Sequence, residues 1–365
     1  MRIINLICLI IIILFLACSK EKEGNAKIRL GVPLRVSYLP VFIAEEKGIF
    51  KKNGIDVELH IDENLSELYA ERKLDIICTG LTESILSTSE GHFSKIIYRF
   101  TYSITNDLIV SNNSIKDMES LKKKKISFEG INSSSHIFVQ QLLSKKGIQD
   151  GEYFAVNLPM HKVIQELEKG TIDAGHTTGV SLSEINKKGL SVIGKSSDDP
   201  DLLADTLVAD SAFLEKHKQK VKLLVSSIIE AKSFYDSNPE EGVSVFVNYS
   251  KRKKEDIKEE LSGIKFLSQV ENEAALEKQD DKLQQTNINE SPKFDFSQGP
   301  KDGAKPPGGI LPDQSISMNQ KEKRFGLLTA GQKIIQFLRE RGQLYRMPDL
   351  QSIIDDQFVK AGGDK

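Results

Sequence analysis

The sequence predicts an α/β protein: two α/β domains joined by two crossing strands, with a helical C-terminal extension. Three observations carry this. Strand-like and helix-like segments alternate from Ile28 onward, a second alternation begins near Ser111, and the chain turns helical after Ser211. A β-α-β-α-β order implies a largely parallel sheet with right-handed crossovers.

In the first unit, 28–34, 55–61, 74–78 and 96–100 read as strands, and 40–49, 66–73 and 82–89 as helices. Pro40 stands at a helix front, where its missing N–H costs nothing. In the second unit, 126–128, 155–158, 172–176 and 191–193 read as strands. Helices are expected at 134–146, 161–169 and 181–188 between them. Asp107–Ser111 and Asp205–Asp210 flank this unit, each with a short apolar core, and read as the two crossing strands. Farther on, 221–235 has the apolar spacing of a core-facing helix. Further helices are expected from Pro239, at 327–341 and at 350–360. The stretch 283–324 is polar and rich in Pro and Gly, and reads as a long surface loop or disordered insert.

The N-terminus carries a different signal. Arg2 precedes an apolar run over 3–16, then Ala17-Cys18-Ser19-Lys20. Such an order makes a secretory signal over 1–17, because a membrane span needs about 20 apolar residues. Phe15-Leu16-Ala17-Cys18 resembles the lipobox of bacterial lipoproteins, which implies lipidation of Cys18. Residues 18–27 are polar and read as a flexible tether. With Cys8 in the signal and Cys18 at the anchor, Cys78 alone remains, so no disulfide is expected in the mature chain. Lys plus Arg (50) nearly balances Asp plus Glu (52), which gives no global charge for nucleic acid.

Four strand-to-helix junctions carry small polar residues: Ser37-Tyr38, Thr79-Gly80-Leu81-Thr82, Asn132-Ser133-Ser134-Ser135-His136, and Thr177-Thr178-Gly179. Ligands of open α/β sheets sit beyond the carboxyl ends of strands, where helix N-termini offer free N–H groups. Hydroxyls and amides there suit a carboxylate, sulfonate or nitrate. One serine suffices for an N-cap; three with Asn132 exceed that need. Glu83 points the other way, toward an amine or aminopyrimidine, unless it merely balances the first helical turn. Tyr38 is placed to stack on a ring or donate a hydrogen bond.

Other patterns are discounted. Gly189 to Ser196 fits the P-loop expression, but its middle residues read as a strand and Pro200 blocks a following helix. His136, His161 and His176 lack close metal-ligand spacing. No cofactor motif stands out. The lysines 122–125 read as a solvated turn.

The chain resembles the bacterial solute-binding proteins of the nitrate, sulfonate, taurine and thiamine-pyrimidine-precursor group. Tyr38-Leu39-Pro40, Ala44-Glu45, Lys47-Gly48-Ile49-Phe50 and the continuation to Leu59 carry the resemblance. Lys73-Leu74-Asp75-Ile76, the Ser120 to Ile126 segment and Gly170-Thr171-Ile172-Asp173-Ala174 extend it. The resemblance implies a type II periplasmic binding protein fold, with ligand held between two lobes. Lobe I is expected at 28–108 and 209–365, lobe II at 109–208. It also implies a monomeric, non-catalytic capture subunit for a small anionic or zwitterionic solute, with an ABC permease and its ATPase as partners. Two alternatives stay open: an enzyme of the same fold acting in thiamine or menaquinone synthesis, and a binding protein that feeds a sensor.

Overall fold

The computed structural model describes residues 27–62, 65–180, 182–277 and 326–360. The signal segment, Cys18, the tether up to residue 26 and the 283–324 insert lie outside the described residues.

Two five-stranded sheets form the body. Strands β1 (Ile28–Val32), β2 (Val57–Ile61), β3 (Ile76–Gly80) and β4 (Ser94–Arg99) open the chain. Next come β5 (Thr101–Ser103), β6 (Asp107–Ser111), β7 (Lys125–Phe128) and β8 (Phe154–Asn157). Strands β9 (Ala174–Thr178), β10 (Ser191–Lys195), β11 (Asp205–Asp210) and β12 (Ile264–Phe266) complete the set. The first sheet runs β2-β1-β3-β11-β4 and the second β10-β6-β9-β7-β8; β12 and β5 form a small third ladder.

The polarity of two strands decides where the site lies. β1 and β3 are parallel, but β11 is antiparallel to β3, with Asp205 opposite Gly80. In the second sheet β7 and β9 are parallel, while β6 runs antiparallel to β9, with Asp107 opposite Thr178. Each antiparallel strand therefore places its first residue, an aspartate, at the carboxyl end of a parallel neighbour. That is the edge where α/β sheets hold ligands. Both strands stand where the chain passes between sheets, β6 on the way out and β11 on the way back.

Burial follows the sequence periodicity. Helix Lys218–Ser237 buries Val221, Leu224, Val225, Ile228 and Ala231 at spacings of three and four. It packs on helix Leu39–Glu46, which is buried over most of its length. The expected helix over 350–360 is corrected. Helix Leu350–Ile353 stops after four residues because Ile354 turns extended and bridges Ile96 beside β4. The backbone N–H of Asp355 donates to the Ile96 carbonyl at 2.9 Å, and Ile354, Phe358 and Val359 are buried by that detour. Among the described residues, no helix is long and apolar enough to cross a membrane.

Candidate functional site: a cleft between two sheets

A cavity of about 310 Å³ lies where the carboxyl edges of the two sheets face each other. The first sheet contributes the Arg35–Tyr38 turn, the β3-to-helix junction and Asp205. The second contributes Asp107, Glu129, Ser133, Ser134, His176 and Thr178, and Glu260 closes in from helix Lys254–Ser262.

The local chemistry of each wall is legible. β3 runs directly into helix Leu81–Ser89, with Gly80 as N-cap and no side chain to cap it. A Cβ on residue 80 would overlap the Glu83 carboxylate, so glycine is what lets that carboxylate fold back over the helix start. Its own backbone N–H and Ser134 of the other lobe favour its charged form. On the second lobe, Asn132 takes a left-handed conformation at φ +66, one that asparagine tolerates. Ser133 then caps helix Ser134–Ser144, accepting from the His136 N–H at 3.2 Å and donating to the Gly130 carbonyl at 2.7 Å.

Of the residues singled out from the sequence, Ser37, Tyr38, Thr79, Gly80, Thr82, Glu83, Ser133, Ser134 and Thr178 line this cavity. The others do not. Asn132 and His136 border a separate depression near Arg341, and the His136 ring stacks on Phe128 at 4.1 Å. Thr177 is buried and donates to the Met160 carbonyl at 3.2 Å. Ser135 lies behind the wall, 1% exposed.

Ser135, His176 and Asp107 form a serine–histidine–aspartate chain. The Ser135 hydroxyl stands 2.7 Å from His176 Nδ1, and His176 Nε2 stands 3.3 Å from Asp107 Oδ1. It is not an exposed nucleophile, because Ser135 also accepts from the Glu129 N–H at 3.1 Å and is sealed from the cavity. Ser103 adds a 2.6 Å bond to the other oxygen of Asp107. The chain fastens β6, β9 and the serine helix to one another.

The cavity is strongly acidic. Glu83, Asp107, Glu129, Asp205 and Glu260 face it, and among the described lining residues Arg35 is the sole lysine or arginine. Burial raises Glu83 above the usual carboxylate range, against the pull of its own N–H, Arg35 and Ser134. Burial likewise raises Asp205, although Arg35, the Tyr38 hydroxyl and Thr101 oppose it. Burial also raises Glu260, which pairs with Arg252 at 2.6 Å. Asp107 is the exception: burial pushes it up, but the bond and charge of His176, with Ser103 and Arg35, bring it below the ordinary value. Arg35 is solvent-exposed yet surrounded by protein. Burial pulls its guanidinium down, and Tyr38, Asp205, Glu83 and Glu129 more than compensate, leaving it raised.

Arg35, Asp107, Glu129, His176, Asp205 and Glu260 were not singled out from the sequence. Asp107 and Asp205 had a usable signal, because each opens a segment already read as a strand between units. Glu260 had none, since it arrives from a helix far along the chain.

Two α/β lobes with a polar cleft at their carboxyl edges are the arrangement of the periplasmic binding protein fold. Solved structures agree on the fold. A sulfonate-binding protein from Methylobacillus flagellatus superposes with TM-score 0.64 at 15% identity, over 92% of this chain and 93% of its own. The aliphatic sulphonate-binding protein of Escherichia coli gives 0.60 at 15% identity, over 73% and 91%. The family model described as NMT1/THI5 like matches residues 36–242, and the chain belongs to that family. Among relatives, a 4-amino-5-hydroxymethyl-2-methylpyrimidine phosphate synthase of Saccharomyces cerevisiae is 23% identical over 239 residues, 60% of this chain and 69% of that protein. A protein of Brucella abortus described as a binding protein is 24% identical over 274 residues, 70% and 84%.

Proposed function

We propose that this protein is an extracytoplasmic solute-binding protein, tethered through a lipid on Cys18, that delivers a small polar solute to an ABC permease and its ATPase. One observation carries the reading: a cavity of about 310 Å³ whose wall is drawn from both lobes at their strand ends. That is at the small end of ligand sites, which span about 300–1,000 Å³. A ligand that touches both lobes favours the closed arrangement through its differential affinity. Hinge closure then turns on the passages into β6 and out to β11. Native mass spectrometry of protein purified gently from its host identifies the solute. Calorimetry and small-angle scattering then measure affinity and closure. A solute that binds without compacting the molecule sinks the two-lobe mechanism.

A second reading, a pyrimidine-forming enzyme, is favoured by the name of the yeast relative. The two readings part on one measurement. A binding protein releases its solute chemically unchanged after repeated cycles, whereas an enzyme releases a product of different mass.

A further inference from the structure

The resting cleft has two features that attract anions, and carboxylates of the protein stand near both. The first is the N-terminal turn of helix Ser134–Ser144, whose partial positive charge would favour an anionic ligand. Ser134 there lines the cavity together with the Glu83 carboxylate of the other lobe and favours its charged form. The second is Arg35, which interacts with Glu83 and Asp205 of its own lobe and with Glu129 across the cleft. Arg252 and the His176 ring nearby are engaged as well. Arg252 is paired to Glu260 at 2.6 Å, and His176 is held between Ser135 and Asp107.

The negative side is in excess. Five carboxylates face the cavity, and Arg35 and Arg252 do not neutralise them. Asp205 is fixed by the Tyr38 hydroxyl at 2.9 Å and by Thr101 at 3.1 Å, and neither partner carries a compensating positive charge. Clefts lined by one sign of charge focus the field and concentrate the opposite ion. A sulfonate or nitrate entering here meets like charge, and like-charge juxtaposition disfavours a partner by several kcal/mol.

Building on the solute-binding reading, we propose that the captured solute is a small organic cation, a protonated amine or amidine, seated among Glu83, Glu129 and Asp205. Arg35 is then an internal competitor: its guanidinium occupies the acidic surface in the empty cleft and gives way to the solute. This differs from the anionic or zwitterionic solute expected from the sequence.

The charge of Arg35 gives the test its sign. Methylguanidinium, choline and benzamidine are titrated into the protein by calorimetry, with ethanesulfonate, taurine and nitrate alongside. At least one of the three cations is expected to bind, and Arg35→Gln is expected to tighten it about tenfold, near 1.4 kcal/mol. Glu129→Gln is expected to weaken the same cation by a similar factor. Glu129 is exposed, so its variant removes no buried side chain; circular dichroism and a thermal melt check that both variants fold. Binding of an anion that is weakened by Arg35→Gln overturns the cation proposal but leaves the solute-binding reading intact. If none of the three cations binds at millimolar concentration, the cation proposal fails as well. Chemical conversion of a bound compound overturns the solute-binding reading instead.

Discussion

The Tyr38 hydroxyl donates to Asp205 Oδ1 at 2.9 Å, joining residues 167 apart in sequence. The bond ties the first strand-to-helix junction to the first residue of β11, and both groups line the cleft. Tyr38 is 1% exposed and packs edge-on against Phe100 at 5.0 Å, so the hydroxyl is held in place by its ring. Tyr38→Phe keeps that packing and deletes the bond. A hydrogen bond to a charged group contributes about 1.5–3 kcal/mol. The loss should appear in urea denaturation as a lower midpoint with an unchanged slope. A variant as stable as wild type would show that Asp205 is held by Thr101 alone.

His136 sets a pH dependence. Burial, with the nearby positive charge of Arg341, lowers its pKa from 6.5 to about 4. The native state keeps the ring neutral, whereas the unfolded chain protonates it near 6.5. Between those values the unfolded state binds more protons, so stability falls as pH is lowered through the window. Well above pH 6.5 both states keep the ring neutral and this residue adds no slope. His136→Gln should flatten the stability profile between pH 6.5 and 4 relative to wild type; parallel profiles would rule the histidine out. Thermal melts across that range measure it.

The three consecutive serines do three different things, and single alanines should separate them. Ser133→Ala removes an N-cap, which costs about 0.5–2 kcal/mol of stability. Ser135→Ala leaves His176 Nδ1 and the Glu129 N–H without their 2.7 and 3.1 Å partner, an internal loss that also lowers stability. Ser134 lines the cleft beside Glu83 and favours that acid's charged form, so Ser134→Ala acts on the ligand wall. It should alter affinity for the solute while hardly moving the melting temperature. If Ser134→Ala instead destabilises as much as Ser133→Ala, its contact with Glu83 is structural.

Much of the scaffold was legible because its signals are local. The apolar cores in β6 and β11, each opening on aspartate, mark Asp107–Ser111 and Asp205–Asp210, the bounds that the strands take. Apart from Tyr38 and Glu83, the predicted residues on the cavity wall shared one rule, small groups at strand ends. That rule cannot tell an inward from an outward side chain. Ser134 and Ser135 are neighbours on one helical turn, yet they face opposite sides of the wall. Arg35 was passed over because nothing in its own neighbourhood announces acids that converge from β11, the helix after β3 and the turn after β7. β12 was missed for the same reason: three residues pair with β5 from far along the chain.

The anchor makes its own prediction from sequence. Cys18→Ala removes the sulfur to which the lipid would be attached, and single lipid chains already bind membranes only marginally. The variant should leave the membrane fraction or remain unprocessed. Processing and fractionation like wild type would remove the lipoprotein reading.

Helix Leu327–Glu340 touches both halves of the molecule. It packs on helix Leu81–Ser89 beside β3 and on helix Gln269–Leu276. The Phe337 ring and the His136 ring of the second unit pack edge-on at 5.3 Å, and the Arg341 guanidinium lies over the Phe337 ring at 3.5 Å. Arg341 also pairs with Asp150. Lys333 reaches Asp199, in the passage back toward β11, at 2.9 Å. Packing and charge thus both hold the helix, and their weights differ. Ile334 and Leu338 are fully buried, and truncating such a side chain costs about 2–5 kcal/mol through lost transfer energy and a residual cavity. Lys333 is partly exposed, and Asp199 keeps a second partner in Lys145 at 3.1 Å. Asp199 is buried, but with Lys145 retained it is not left as an unpaired charge, so the loss stays nearer the about 0–1 kcal/mol of exposed pairs than the about 3–5 kcal/mol of a buried pair broken outright. Ile334→Ala should therefore destabilise several-fold more than Lys333→Ala in denaturant unfolding. The reverse order would mean that the helix is held by its charges, and that salt, not truncation of its apolar face, would release it.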